Sequence, residues 1–124
     1  MEFEKDPAFL SGRLKSIGFA IRGAVKLITT EHSVMVQFGL GALVAIAGFY
    51  FEISATEWMF QTLAIGLVLA MEGLNTAVEK LADFVHPQFH EKIGFIKDIA
   101  AGAVFFAALT ALVIGAIIYV PKFL

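Results

Sequence analysis

The chain has 124 residues, a hydrophobic fraction of 59%, a formal net charge of −2 and no cysteine. Soluble domains run nearer about 45–50% apolar, so this composition, with a mean hydropathy of +0.83, points to the bilayer, while the near-neutral charge gives no case for a nucleic-acid partner. The lack of cysteine removes disulfides, iron–sulfur clusters, thiolate zinc sites and cysteine nucleophiles, and the length fits one domain over 1–124.

Met1 to Lys15 carries Glu2, Glu4, Lys5, Asp6, Arg13 and Lys15 without a long apolar core, so it does not read as a cleaved signal and the whole chain is expected in the mature protein. From about residue 8 to 28, Leu10, Leu14, Ile17, Ile21, Val25 and Ile28 recur at helical spacing, with Lys15, Arg22 and Lys26 roughly opposite. That pattern predicts an amphipathic helix lying in the membrane surface. Gly12, Gly18 and Gly23 weaken it, and Phe19 points to its polar side. The alternative is a soluble helix packed on its own domain.

Three spans follow, at about 33–51, 58–81 and 99–120. Ser33–Phe51 and Ile99–Val120 hold no charged residue, and Trp58–Met71 is uncharged before the helical pattern runs on through Glu72 toward Leu81. Each is long enough to cross about 30 Å of hydrocarbon at about 1.5 Å per residue, and in lipid segments of this kind must be helices. The expected fold is all-α: three transmembrane helices and a surface helix. Lys5, Arg13, Lys15, Arg22 and Lys26 precede the first span and Lys80, Lys92 and Lys97 lie between the second and third, whereas the first loop has Glu52 and Glu57 and the tail only Lys122. The positive-inside rule then puts the N-terminus in the cytoplasm and the C-terminus outside, with Tyr50, Trp58 and Tyr119 near the outer boundary.

Small residues also form stripes: Ala103, Ala107, Ala111 and Gly115 on the third span, and Gly66, Ala70, Gly73 and Ala77 on the second. They let helices approach closely in lipid, either within one chain or in an oligomer, and three helices alone can hardly enclose a reaction site.

The chemistry concentrates in EGLNTAVEKLAD. Glu72, Asn75, Glu79 and Asp83 stand at i, i+3, i+7 and i+11, within one narrow face of a helix. An intramembrane carboxyl is functional by default, the structural alternative being a protonated Glu hydrogen-bonded across a helix interface. Antiparallel folding brings Glu31, Glu79, Asp83, Lys97 and Asp98 to one membrane face. Carboxylates and a lysine there fit a magnesium–nucleotide site, since Mg²⁺ takes one or two carboxylates plus phosphate oxygens and Lys pairs with phosphate as a point charge. Glu72, set deeper, could accept the proton of an alcohol arriving from the lipid. A plain solvated boundary is the alternative for the edge charges. No P-loop and no protein-kinase signature is present. His86 and His90 flank Pro87, which reads as a turn rather than a zinc pair.

The stretch EGLNTAVEKLADFVHPQFHEKIGFIKDIAAGAVF resembles the signature region of the small prokaryotic diacylglycerol kinases, a family that includes undecaprenol kinases. The likeness extends back through Glu31 and covers nearly the whole chain. It implies a homotrimer in a bacterial cytoplasmic membrane, active sites shared between neighbouring subunits, and ATP with Mg²⁺ phosphorylating a membrane lipid alcohol. The first reading is diacylglycerol to phosphatidic acid, with undecaprenol to undecaprenyl phosphate as the alternative. It further implies Glu72 as general base, and Glu31 and Glu79 as metal ligands that also hold the nucleotide. Lys97 and Asp98 would contact the nucleotide with the Gln88-Phe89-His90 turn, Asn75 and Asp83 would support the polar network, and Arg13 and Phe19 would border the path of nucleotide and lipid. Some relatives carry Tyr at Phe19, a basic residue at Met35, or Glu or His at Gln37; these departures leave the core motif intact. Two other classes compete, a proton-linked transporter relaying through Glu72 and a non-catalytic assembly subunit. A transporter would need a polar path, yet the outer half of the second span offers only Gln61 and Thr62.

Overall fold

A computed structural model describes residues 7–124. Glu2, Glu4, Lys5 and Asp6 lie outside the described residues, and with them part of the reading of the N-terminal segment and of its charge. Among the described residues there are four helices and no strand: α1 (Pro7–Thr30), α2 (His32–Tyr50), α3 (Ala55–Val85) and α4 (Glu91–Phe123). The last three are long and apolar enough to cross a membrane, so the all-α, three-span expectation holds.

The helices outrun the uncharged stretches that mark them in the sequence. Ser54 caps α3 through a reciprocal box: its Oγ accepts from the Glu57 backbone N–H at 3.1 Å, and Glu57 Oε1 accepts from the Ser54 N–H at 2.9 Å. Two otherwise orphaned donors are thereby satisfied and the helix starts before Trp58. At α4, His90 Nδ1 accepts from the Lys92 N–H at 3.0 Å, so the helix begins a full two turns before the charge-free run. Lys92, Lys97 and Asp98 are helical residues, not loop residues. The Pro87 turn between α3 and α4 is where the sequence puts it.

α3 is the central helix. Its buried residues Gln61, Ala64, Val68, Glu72, Thr76 and Ala82 line one face, packed on α4 along most of its length and on α2 over less of it. Two glycines of α2 set how closely that helix approaches α3. A Cβ on Gly48 would stand 2.7 Å from Trp58 Cη2 and 3.1 Å from Gln61 Nε2, and one on Gly41 would stand 3.0 Å from Ile65 Cγ2. Around the α2–α3 turn, Phe49 stacks on Trp58 at 4.8 Å between ring centroids, and Phe51 meets Tyr119 at 5.9 Å and Phe123 at 5.2 Å. The three aromatics expected at one boundary thus gather at one end of the bundle, where Lys122 Nζ also lies 3.4 Å from Glu57 Oε2.

The small-residue stripe of α4 is partly used within the chain: Ala107 is buried, while Ala111 and Gly115 line an apolar cleft of about 630 Å³ between α2, α3 and α4. The stripe on α3 is divided as well, since Gly73 faces Leu27 of α1 and Gly66 faces open space. Most of the apolar stripe of α1 is left uncovered by the other described residues: Leu10, Leu14, Ile17, Ile21 and Val25 are exposed, and Ile28 is half-buried. The helix is therefore not packed on a domain of its own.

Candidate functional site

The helix connections decide what meets what. α1 and α2 are joined by the single extended residue Glu31, and the α3–α4 turn closes at the same end of the bundle. Two ion pairs tie that end together. Lys80 Nζ on α3 stands 3.1 Å from Glu31 Oε1, and Lys97 Nζ on α4 donates to Asp83 Oδ1 on α3 at 2.6 Å. The first pair ties Glu31 to α3 and the second ties Asp83 to Lys97, and Asp98 follows Lys97 on the exposed side of the same turn of α4.

From this charged edge a polar path leads along α3 into the bundle. Asn75 Nδ2 donates to Glu79 Oε1 at 3.2 Å. Asn75 Oδ1 is buried and has no hydrogen-bond partner, leaving an acceptor available to a bound donor. One turn further in, Glu72 is 8% exposed and Thr76 is also buried. Outward of Glu72 the buried face turns apolar at Val68 and Ala64, and its last polar member, Gln61, is 3% exposed. The Gln61 amide is spoken for: Nε2 donates to the Val44 carbonyl at 3.4 Å, and its Oε1 accepts from Tyr119 Oη. The polar path therefore enters from one side and ends at Glu72, as a transporter's would not.

The Pro87 turn keeps its histidines busy locally. His86 Nδ1 lies 2.7 Å from the Gln88 carbonyl, His90 Nδ1 caps α4, and the two rings meet edge to face at 5.5 Å. Gln88, Phe89 and His90 are exposed, as a nucleotide-contacting turn would have to be. Arg13 and Phe19 are not brought to the cluster by this chain. Arg13 stands about 25 Å along α1 from Thr30 at about 1.5 Å per residue, and the Phe19 ring carries the Arg22 guanidinium at 5.5 Å.

Among the described residues, no group of three or more His, Asp or Glu side chains could hold a metal ion by itself. Glu31 and Glu79 offer hard carboxylate oxygens, a donor set that suits Mg²⁺ when phosphate and water complete the shell. Lys80 is the residue that sequence reading misses. It registers there only as one of the basic residues that orient the chain, and its contact with Glu31 joins positions far apart in sequence.

Residues 18–119 match the family model described as prokaryotic diacylglycerol kinase. The chain is similar to an undecaprenol kinase of Bacillus subtilis (strain 168), 37% identical over 87% of this chain and 88% of the relative. It is also similar to a diacylglycerol kinase of Synechocystis, 31% identical over 90% of this chain and 64% of the relative. A diacylglycerol kinase of Escherichia coli (strain K12) is 25% identical over 81% of this chain and 82% of the relative.

Proposed function

The chain belongs to the prokaryotic diacylglycerol kinase family, and from that premise we propose how its residues divide the work of moving the γ-phosphoryl group of ATP to a membrane lipid hydroxyl. The observation that carries the reading is the buried Glu72, set one turn beyond Asn75 on a helix whose far end bears the charged edge. A lipid alcohol reaches that depth from the bilayer, and a triphosphate reaches the edge from water. Only between the two do the reactants meet.

Glu72 accepts the hydroxyl proton as oxygen attacks the γ-phosphorus, and the bond to the β-bridging oxygen breaks. Asn75 holds Glu79 by its Nδ2, and its unpartnered Oδ1 is placed to accept from a reactant hydroxyl. Glu31 and Glu79 would hold Mg²⁺, whose role when bound is to neutralise phosphate charge. Lys97, kept by Asp83 at the same edge, would pair with phosphate, with Asp98 and the Gln88–His90 turn on the nucleotide's outer side. Arg13 and Phe19 would serve a neighbouring subunit's site, which is the reading that a homotrimer with shared sites gives them.

Diacylglycerol is the first reading of the acceptor. Undecaprenol is the second, favoured by the 37% identity to an undecaprenol kinase. Both are apolar bodies with one primary hydroxyl, so the same Glu72 serves either. Transfer from γ-labelled ATP in mixed micelles, with each lipid offered separately, decides between them. Label in one lipid alone fixes the substrate. Label in neither, from a folded oligomer, overturns the assignment of both lipids.

A further inference from the structure

Glu31 occupies the N-cap position of α2, with φ −107° and ψ 113°, yet its side chain makes no capping bond. A carboxylate beside the unsatisfied N–H groups of a helix start is favoured there by the helix dipole. Here it reaches across to α3, where Lys80 Nζ stands 3.1 Å from Oε1. The two partners differ in freedom: the Glu31 side chain is 24% exposed and that of Lys80 is 68% exposed. The carboxylate is fixed by the α1–α2 joint, and the ammonium sits on a long stem mostly in water. Lys80 follows Glu79 directly on α3, so its ammonium pairs with one of the carboxylates read above as metal ligands and springs from the residue next to the other. Lys97, another lysine of this edge, is likewise held by a carboxylate, that of Asp83 at 2.6 Å.

We propose that Lys80 is a phosphate-binding residue that exchanges the Glu31 carboxylate for the nucleotide when a divalent cation arrives with it; this rests on the assignment of Glu31 and Glu79 as metal ligands. A divalent cation at Glu31 and an ammonium 3.1 Å from the same carboxylate repel one another. The mobile partner yields, and the triphosphate accompanying the cation supplies its next acceptor. Lys80 thereby disfavours the bare metal ion and favours the metal–nucleotide complex, a discrimination that neither carboxylate can make.

The test measures two affinities on the full-length protein in detergent: Mn²⁺ alone, by the paramagnetic resonance of free ion, and the non-hydrolysable ATP analogue adenylyl-imidodiphosphate with Mg²⁺. The Lys80→Gln variant should bind Mn²⁺ about two- to five-fold more tightly, the range set by an exposed ion pair. It should bind the magnesium–analogue complex at least about ten-fold more weakly, as for a lost hydrogen bond between charged groups. Lys80→Arg, which keeps the charge, should stay near the parent on both. Opposite signs for the two ligands support the proposal; changes of the same sign, or no change in either constant, overturn it. Glu31→Gln separates this from the parent reading. If Glu31→Gln loses Mn²⁺ while Lys80→Gln alters nothing, only the role of Lys80 falls. If Glu31→Gln binds Mn²⁺ like the parent, the metal assignment itself falls.

Discussion

An acidic group at the centre of a membrane helix costs about 2.5–3.5 kcal/mol to insert, and Glu72, within a membrane-length helix, is 8% exposed. Glutamine has nearly the same shape, hydrogen-bonds as well and carries no charge, so nothing in the packing asks for the carboxyl. The proposed use of the carboxyl is as a base, and Glu72→Gln isolates that use. Lipid phosphorylation should fall by about 10²–10⁴-fold, the usual worth of general base catalysis, while magnesium–nucleotide binding stays close to the parent. Near-parent turnover in the labelled-ATP assay would show that another group takes the proton. Glu79→Gln should behave differently, weakening nucleotide binding together with turnover, because the proposed metal carboxylate and the acceptor for Asn75 Nδ2 go together. A nucleotide titration of both variants side by side distinguishes the two roles. Glu72, Asn75, Glu79 and Asp83 are legible in the sequence because polar residues stand out in an apolar helix and their spacing fixes a face. Lys80 is not, since a lysine at a membrane edge already has an explanation and only the folded chain brings it to Glu31.

Between elements, the fit of α2 on α3 rests on space and on one buried polar knot. Gly48→Ala would drive a methyl to 2.7 Å from the Trp58 ring, and overpacking of this kind costs about 1–3 kcal/mol. Gly102→Ala meets nothing within 4 Å and should be neutral or slightly stabilising, since alanine is the better helix former. Denaturation of the two variants in detergent, followed by circular dichroism, should lower the midpoint for the first alone. Tyr119→Phe removes the hydroxyl that Gln61 Oε1 and the Val44 carbonyl compete for. The cost should be about 0.6 kcal/mol and no more than about 1.7 kcal/mol, the average and maximum for side-chain hydrogen bonds between membrane helices, visible in the same denaturation. The existence of each spanning helix is legible because a long apolar run in lipid has no other backbone solution, and that of α1 because its apolar residues recur at helical spacing. Helix ends are not: α4 starts at Glu91 through the His90 cap, and counting charges finds where hydrocarbon ends rather than where hydrogen bonding does.

At the scale of the whole molecule, charge separates the two ends of the bundle. Among the described residues, Lys80, Lys92 and Lys97 lie at the α3–α4 turn and Arg13, Lys15, Arg22 and Lys26 on α1, which joins α2 at that end, whereas the other end carries Lys122 alone. Even that lysine is neutralised, standing 3.4 Å from Glu57, which is itself committed to the α3 cap. The positive-inside rule predicts that the basic residues at the first end keep that end in the cytoplasm, where ATP is available to the proposed site, and this expectation can be tested without reference to activity. The chain has no cysteine, so a single introduced thiol is the only one to label. Ser11→Cys places it on exposed α1, and Leu124→Cys places it at a terminus that is 98% exposed. In right-side-out membrane vesicles, an impermeant maleimide should label Leu124→Cys and leave Ser11→Cys unlabelled until the membrane is opened. The reverse pattern would put Glu31, Glu79 and Lys97 on the side without ATP. The site would then have to be reassigned, whatever the fate of the lipid, because a kinase cannot work from the face its donor never reaches.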